Sequence, residues 1–336
     1  MSRIRIAVDI MGGDRQPCEL ARGAAEAAAA ADIDVILVGT EEVRGEACAI
    51  AGGAGFVSAA GYVAMTDDPG CVMKEKKESS MCVAARLCRD GEADAVVSAG
   101  NTGALFTASS LIIRRIKGVR RAALCSVVPL EKPFLLLDCG ANLDATPEIL
   151  RLYAKMGSVY AENVLKIASP RAALLNNGTE PHKGTPLYYG AYELISADES
   201  INFIGNCEGK ALPFGAADVV VCDGFTGNIA LKTIEGMGKF MSATLKSIFY
   251  ANTLTKLCGL ATKKQTDALK KRLDASEYGG APFLGLAKPV IKAHGNSNAR
   301  AIFCAIRQAK SMVDGGVVDV IREEVAKLSV EDEKEE

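Results

Sequence analysis

The sequence predicts an α/β protein built on a largely parallel sheet. Two observations carry this reading. Short apolar runs alternate with helical stretches along the chain, the pattern of strands covered by helices. Run after run also ends in a polar corner of Gly, Asn or Asp that opens a helix, as in Val96-Val97-Ser98-Ala99-Gly100-Asn101-Thr102-Gly103.

Taken in order, Ile4–Val8 is the first strand and ends in Asp9-Ile10-Met11-Gly12-Gly13-Asp14. An Ala-rich helix follows over roughly Glu19–Ala31, then a strand over Asp34–Val38. Cys82–Asp90 reads as helix, Ala95–Ser98 as strand and Thr102–Ile116 as helix. Strand Phe134–Leu137 ends in Asp138-Cys139-Gly140-Ala141-Asn142, and Ala172–Leu175 ends in Asn176-Asn177-Gly178. Ile201–Ile204 ends in Gly205-Asn206. Val219–Cys222 ends in Asp223-Gly224-Phe225-Thr226-Gly227-Asn228, where another helix begins. No repeat or linker divides residues 1–330, and 331–336 form a charged tail.

Bulk properties narrow the function. The 336 residues, 49% hydrophobic, suffice for a large core, as one domain or two lobes. A net charge of -2 argues against a general nucleic-acid binder. Eleven scattered cysteines without a CxxC pair, behind a start that reads as strand and turn, suggest reduced core thiols in a cytosol. No apolar run approaches the roughly 18 residues that span a bilayer. His182 and His294 are the two histidines, and neither has carboxylates at metal-ligand spacing, so no metal is expected. A GxGxxG turn after the first strand is absent, which disfavours a dinucleotide cofactor. No cofactor is expected.

In such sheets the ligand sits beyond the carboxyl ends of the strands. Those ends carry Asp9, Gly12, Gly13, Asp14, Ser98, Asn101, Asp138, Asn142, Asn176, Asn206, Asp223 and Asn228. Each alone makes an ordinary turn or helix cap; together they predict one polar crevice. Gly100-Asn101-Thr102-Gly103 enters a helix, so its free N–H groups suit an anion such as phosphate. His294 and Asn298 share another such corner, Ala293-His294-Gly295-Asn296-Ser297-Asn298. Lys183 is one of few cations in these loops.

As an ordered set, these corners resemble the bacterial phosphate acyltransferases of phospholipid synthesis. The matching residues are Ala7-Val8-Asp9 with Met11-Gly12-Gly13-Asp14, Ser98 to Ala104, Asp138 with Gly140-Ala141-Asn142, and Lys183-Gly184. They continue with Asn202 to Asn206, Glu208-Gly209, Asp223-Gly224-Phe225, Gly227-Asn228, Gly279 to Pro282, and His294-Gly295 with Ser297-Asn298-Ala299. Ile10, Asn177, Thr179 and Asn296 depart mildly from the family pattern. The resemblance implies a three-layer α/β/α unit related to the isocitrate and isopropylmalate dehydrogenases, with two lobes around a cleft, forming a homodimer. It implies transfer of an acyl group from acyl carrier protein to orthophosphate, for a membrane glycerol-3-phosphate acyltransferase to consume. A phosphotransacetylase-like activity on the same fold and a non-catalytic scaffold are the competing readings.

Phosphate is already an anionic nucleophile and the thiol leaves readily as thiolate, so positioning and oxyanion stabilisation suffice. On this reading Gly100, Asn101 and Thr102 hold phosphate, Lys183 balances its charge, and Asn206, Asn228 and His294 orient the thioester. Asp9, Asp138 and Asp223 order backbone and amide groups rather than act as bases. Arg114, Arg115, Lys117, Arg120 and Arg121 form a basic cluster suited to an acidic carrier protein. In the segment 245–273, Leu254, Leu257, Cys258 and Ala261 share one helical face, with seven basic residues and Asp267 beside it. That pattern predicts peripheral association of a cytoplasmic protein with the inner face of the cell membrane; a hairpin packed in a dimer interface is the alternative.

Overall fold

The computed structural model describes residues 3–272 and 275–335. The first half of the chain contains β1 (Ile4–Asp9), α1 (Pro17–Ala30), β2 (Ile33–Thr40), α2 (Glu41–Ala51), β3 (Gly55–Ala59), α3 (Ser80–Arg89), β4 (Ala95–Ser98), α4 (Thr102–Ile112), β5 (Ala123–Val128), β6 (Phe134–Leu137) and α5 (Pro147–Asn163). The second contains β7 (Ala172–Asn176), α6 (Pro186–Ala197), β8 (Phe203–Glu208), β9 (Val219–Val221), α7 (Gly224–Phe249), α8 (Thr253–Ala261), α9 (Lys263–Arg272), β10 (Ala281–Leu284), β11 (Val290–Lys292), α10 (Ala299–Asp314) and α11 (Val317–Glu335).

Corner residues start the helices for a local reason. The side chains of Asn101, Thr146, Asp223 and Asn298 each accept a hydrogen bond from a backbone N–H in the first turn of α4, α5, α7 and α10. Pro17, Pro147 and Pro186 stand in the first turns of α1, α5 and α6, where a missing N–H costs nothing.

All the strands join one sheet in the order β3-β2-β1-β4-β11-β10-β5-β6-β9-β7-β8. The first five run parallel, as do the last four. Between these blocks β11/β10, β10/β5 and β5/β6 are antiparallel. Three reversals are an odd number, so the two parallel blocks run in opposite senses within the sheet.

The core lies on both faces of the sheet. Ile6, Val8, Val97, Leu135, Leu137 and Val219 pack beneath α1, α5 and α10 residues such as Leu20, Tyr153, Tyr160 and Ile306. Ala7, Val96, Leu136 and Val220 face the other way, with Met81, Leu105 and Phe283. This alternation is the strand period of two, filled on both sides.

Several expectations need correction. The helix expected over Thr102–Ile116 stops at Ile112, and Arg114 has φ 72°, so the basic cluster 114–121 is a loop. The strand expected over Ile201–Ile204 lies at Phe203–Glu208, which places Asn206 inside a strand rather than at a corner. Segment 245–273 comprises the end of α7, then α8, which holds Leu254, Leu257, Cys258 and Ala261, then α9; its last residue, Leu273, lies outside the described residues, as does Glu336 of the tail. The tail through Glu335 continues α11. Only Gly224 and Gly227 of α7 are buried, and no residue of α8 is. Phe240, Met241, Leu254, Leu257 and Leu260 stand exposed along this helical arm. Among the described residues no helix is long and apolar enough to cross a membrane.

Candidate active site

The polar corners form two groups. The first gathers the ends of β1, β4 and β11. Their register sets Asp9, Ser98 and Lys292 side by side across three neighbouring strands. The Ser98 hydroxyl donates to Asp9 Oδ2 at 2.7 Å, Met11 N–H donates to Asp9 Oδ1 at 3.1 Å, and Gly100 N–H donates to Ser98 Oγ at 3.1 Å. Asp14 N–H donates to the Gly295 carbonyl at 2.8 Å, closing the β1 corner onto the β11 corner. Gly12, with φ +74°, sits 3.6 Å in its Cβ direction from Gly100 and 2.5 Å from the Val63 carbonyl, so only glycine fits. Asn101 caps Ala104 N–H at 3.0 Å and donates to the carbonyls of Met65 and Asp67. Beyond it Thr102 and Gly103 open α4 with N–H groups that have no acceptor among the described residues. Asn298 caps α10 in the same way through Ala301 N–H.

Electrostatics in this group are unusual. Burial pushes Asp9 up to about 6 despite the hydrogen bonds from Ser98 and Met11 and the nearby charge of Lys292. Lys292 is 7% exposed. Burial lowers it to about 8, against the pull of Asp9 and Asp14 and with help from Lys232 on α7. His294 is lowered by burial, then by the charges of Lys232 and Lys292, which favours its neutral form.

The second group gathers the ends of β6, β7 and β9. Asp138 Oδ1 accepts from the N–H groups of Leu124, Gly140 and Ala141, and Oδ2 from both Asn142 N–H and Asn142 Nδ2. Burial still raises Asp138 against all these donors. Asn142 also donates to the Ala122 carbonyl, and its own carbonyl accepts from Gly224 N–H. Asp223 caps α7 through Thr226 N–H and takes the hydroxyls of Thr226 and Tyr188, both at 2.7 Å. Burial raises Asp223, but these hydrogen bonds outweigh it and hold the carboxyl below its usual range. Gly227 presses onto the Asp138 carbonyl, 1.9 Å from where a Cβ would stand. Asn228 lies over Gly140, exposed and with no hydrogen-bond partner for its side chain among the described residues.

Loop 180–183 borders this second group. Asn206 Nδ2 donates to the Glu180 carbonyl, and Asn176 Nδ2 donates to the Lys183 carbonyl and to Asn206 Oδ1. Both amides are therefore occupied in shaping the loop. Lys183 is 42% exposed and its ammonium faces Glu180 at 3.9 Å.

The groups meet along α7, which Asp223 of the second group caps. Lys232, eight residues and so about 12 Å along the axis from the first helical residue, Gly224, brings its charge to Lys292 and His294 in the first. The structure thus places Asp9, Gly12, Gly13, Asp14, Ser98, Gly100, Asn101, Thr102, His294 and Asn298 together, and Asp138, Asn142, Asn176, Asp223, Asn228, Asn206 and Lys183 together. Lys183 was expected to balance phosphate at Gly100–Thr102; its contacts are with Glu180 and Asn176, while the ammonium bonded at Ala99 is that of Lys292, missed in the sequence. Its signal was present, since Val290-Ile291-Lys292 is an apolar run leading into the His294-Gly295 corner. Among the described residues no cluster of His, Cys, Asp and Glu is able to hold a metal.

The fold is one mixed α/β sheet in which two parallel blocks run in opposite senses. Among solved structures, this chain is similar to a phosphotransacetylase from Streptococcus pyogenes, with TM-score 0.63 and 19% identity over 92% of this chain and 94% of that one. It also resembles the EutD phosphotransacetylase from Staphylococcus aureus, at 0.57 and 16% over the same shares. These likenesses establish the fold alone. Residues 4–320 match the family described as "Fatty acid synthesis protein". The chain is 46% identical to a phosphate acyltransferase of Desulfitobacterium hafniense, covering 98% of this chain and all of that one. Against the phosphate acyltransferase of Geobacillus thermodenitrificans it is 46% identical over 97% and 100%. The chain belongs to this fatty acid synthesis family, that of the phosphate acyltransferases, and is an acyltransferase.

Proposed function

We propose that this protein moves a fatty acyl group from the thioester of acyl carrier protein to orthophosphate, giving an acyl phosphate for phospholipid synthesis. The observation that carries this reading is the first polar group: open N–H groups of Thr102 and Gly103, the start of α10, and buried Lys292 beside them. These groups suit an anion, and among the described residues no cluster of metal ligands stands there.

A phosphate oxygen attacks the thioester carbonyl, the carbonyl oxygen takes the developing charge, and the C–S bond breaks to release thiolate. No enzyme nucleophile is needed. Ser98 is fully buried, and burial drives the thiols of Cys125, Cys139 and Cys222 far above their usual range. The free amide of Asn228 and neutral His294 are suited to orient the thioester or its oxyanion. Gly12, Gly13, Asn142, Asn176, Asn206, Asp9, Asp138 and Asp223 keep the corners in shape. Lys183, at the rim of the second group, is suited to the acyl donor rather than to phosphate.

The exposed apolar arm of α7 and α8 supports peripheral attachment at the cytoplasmic face of the membrane, where a glycerol-3-phosphate acyltransferase would consume the product. It equally supports a homodimer built along α7. The test is release of free carrier-protein thiol from acyl carrier protein, strictly dependent on phosphate, with acyl phosphate trapped by hydroxylamine. Turnover of acetyl-coenzyme A but not of acyl carrier protein would favour a phosphotransacetylase-like activity instead.

A further inference from the structure

The buried ammonium of Lys292 is a charge without a counter-ion. Its Nζ donates to the carbonyls of Ala99, at 3.4 Å, and Ala293. These contacts use two of its three donors, and no carboxylate of the described residues lies within ion-pair distance. Among the described residues the other buried lysine is Lys155, which shows the ordinary solution, an ion pair with Glu324 at 2.6 Å. Burying an unpaired cation is costly, so a resident or transient anion is expected where one persists.

The position of Lys292 says which anion. Ala99 precedes Gly100-Asn101-Thr102, and Ala293 precedes His294. Lys292 therefore ties down the entries of the two corners that lead into α4 and α10, whose open N–H groups also favour negative charge. We infer that Lys292 is the cation of the phosphate site, neutralising the dianion at the head of α4 and setting the affinity for phosphate. This rests on the reading of the protein as a phosphate acyltransferase and gives a missing charge to its acceptor site.

The charged and titratable groups that face Lys292 are Asp9 on β1, Asp14 after it, Lys232 on α7 and His294 beyond β11. With Lys292 held near 8 before phosphate binds, raising the pH through that value removes the proton and the charge. Phosphate remains a dianion across this range, so affinity for it should fall as the pH rises above about 8.

The test is steady-state kinetics of Lys292→Met and Lys292→Arg, with inorganic phosphate and acyl carrier protein varied separately. Methionine suits the buried site and should fold, checked by circular dichroism. The expected result for Lys292→Met is a KM for phosphate raised about ten- to a hundredfold, an acyl carrier protein KM within twofold of wild type, and no alkaline fall in phosphate affinity. Lys292→Arg should retain more phosphate affinity than the methionine variant at pH 9, since arginine keeps its proton. Calorimetric titration of inorganic phosphate should show the same order. A phosphate KM within twofold of wild type in Lys292→Met, or an alkaline fall that persists there, overturns the assignment. Wild-type thiol release that does not depend on phosphate overturns instead the underlying reading of the function.

Discussion

Replacing Asp138 by asparagine tests the knot on which the second polar group is built. The substitution keeps shape and exchanges one acceptor oxygen for an NH2 group. The better placement leaves the remaining amide oxygen with the three backbone donors of Leu124, Gly140 and Ala141. The new NH2 then faces Asn142 N–H and Asn142 Nδ2, both 2.8 Å from the oxygen it replaces and both donors. Asn142 N–H loses its acceptor, whereas Asn142 Nδ2 keeps the Ala122 carbonyl and the Tyr153 hydroxyl, so the loss is about 1–3 kcal/mol. Total stabilities of about 5–15 kcal/mol make that a large fraction. Because Gly224 N–H donates to the Asn142 carbonyl and Gly227 rests on the Asp138 carbonyl, the start of α7 should shift, and turnover should fall with stability. Urea unfolding followed by circular dichroism gives the first quantity and thiol release the second. A stability loss under about 1 kcal/mol with full activity would refute the account of Asp138 as the acceptor that organises this corner.

Three further outcomes follow from the site and its surroundings. Thr102→Val keeps volume and removes a hydroxyl at the head of α4; phosphate KM should rise while the melting temperature holds, and an unchanged KM removes the Thr102 hydroxyl, though not its N–H, from the site. Arg114→Glu with Arg115→Glu reverses charge in the loop whose neighbours Arg120 and Arg121 act on Glu148 and Tyr153, beside the Asn142 corner. It should raise the KM for acyl carrier protein and flatten its salt dependence; a change confined to phosphate kinetics assigns the loop elsewhere. Leu257→Glu puts a charge on a residue that is 60% exposed and should abolish sedimentation with anionic vesicles while soluble transfer survives. Wild-type sedimentation of that variant counts against the membrane reading, and dissociation of a dimer counts for the interface.

The strands and corners at β1, β4, β6 and β9 are legible in the sequence because they depend on local rules. A short apolar run, then a capping Asn or Asp, is legible from neighbours alone. So was the polar character of the site, and the anion-suited turn Gly100–Gly103. Strands β10 and β11 went unread: Pro282 breaks the pattern of the first, and the short apolar run Val290-Ile291 of the second ends in a lysine that reads as surface. Yet their insertion between β4 and β5 splits the sheet into two blocks and makes the seam. The tertiary structure also decided which corners are neighbours. Lys183 and Gly100 belong to similar strand–corner–helix units, but their strands, β7 and β4, lie in different parallel blocks of the sheet. Lys292 stands beside Ser98 although 193 residues separate it from Ala99. Periodicity and capping report on a residue's own turn or strand, whereas a charge far along the chain reaches the site only through long-range pairing.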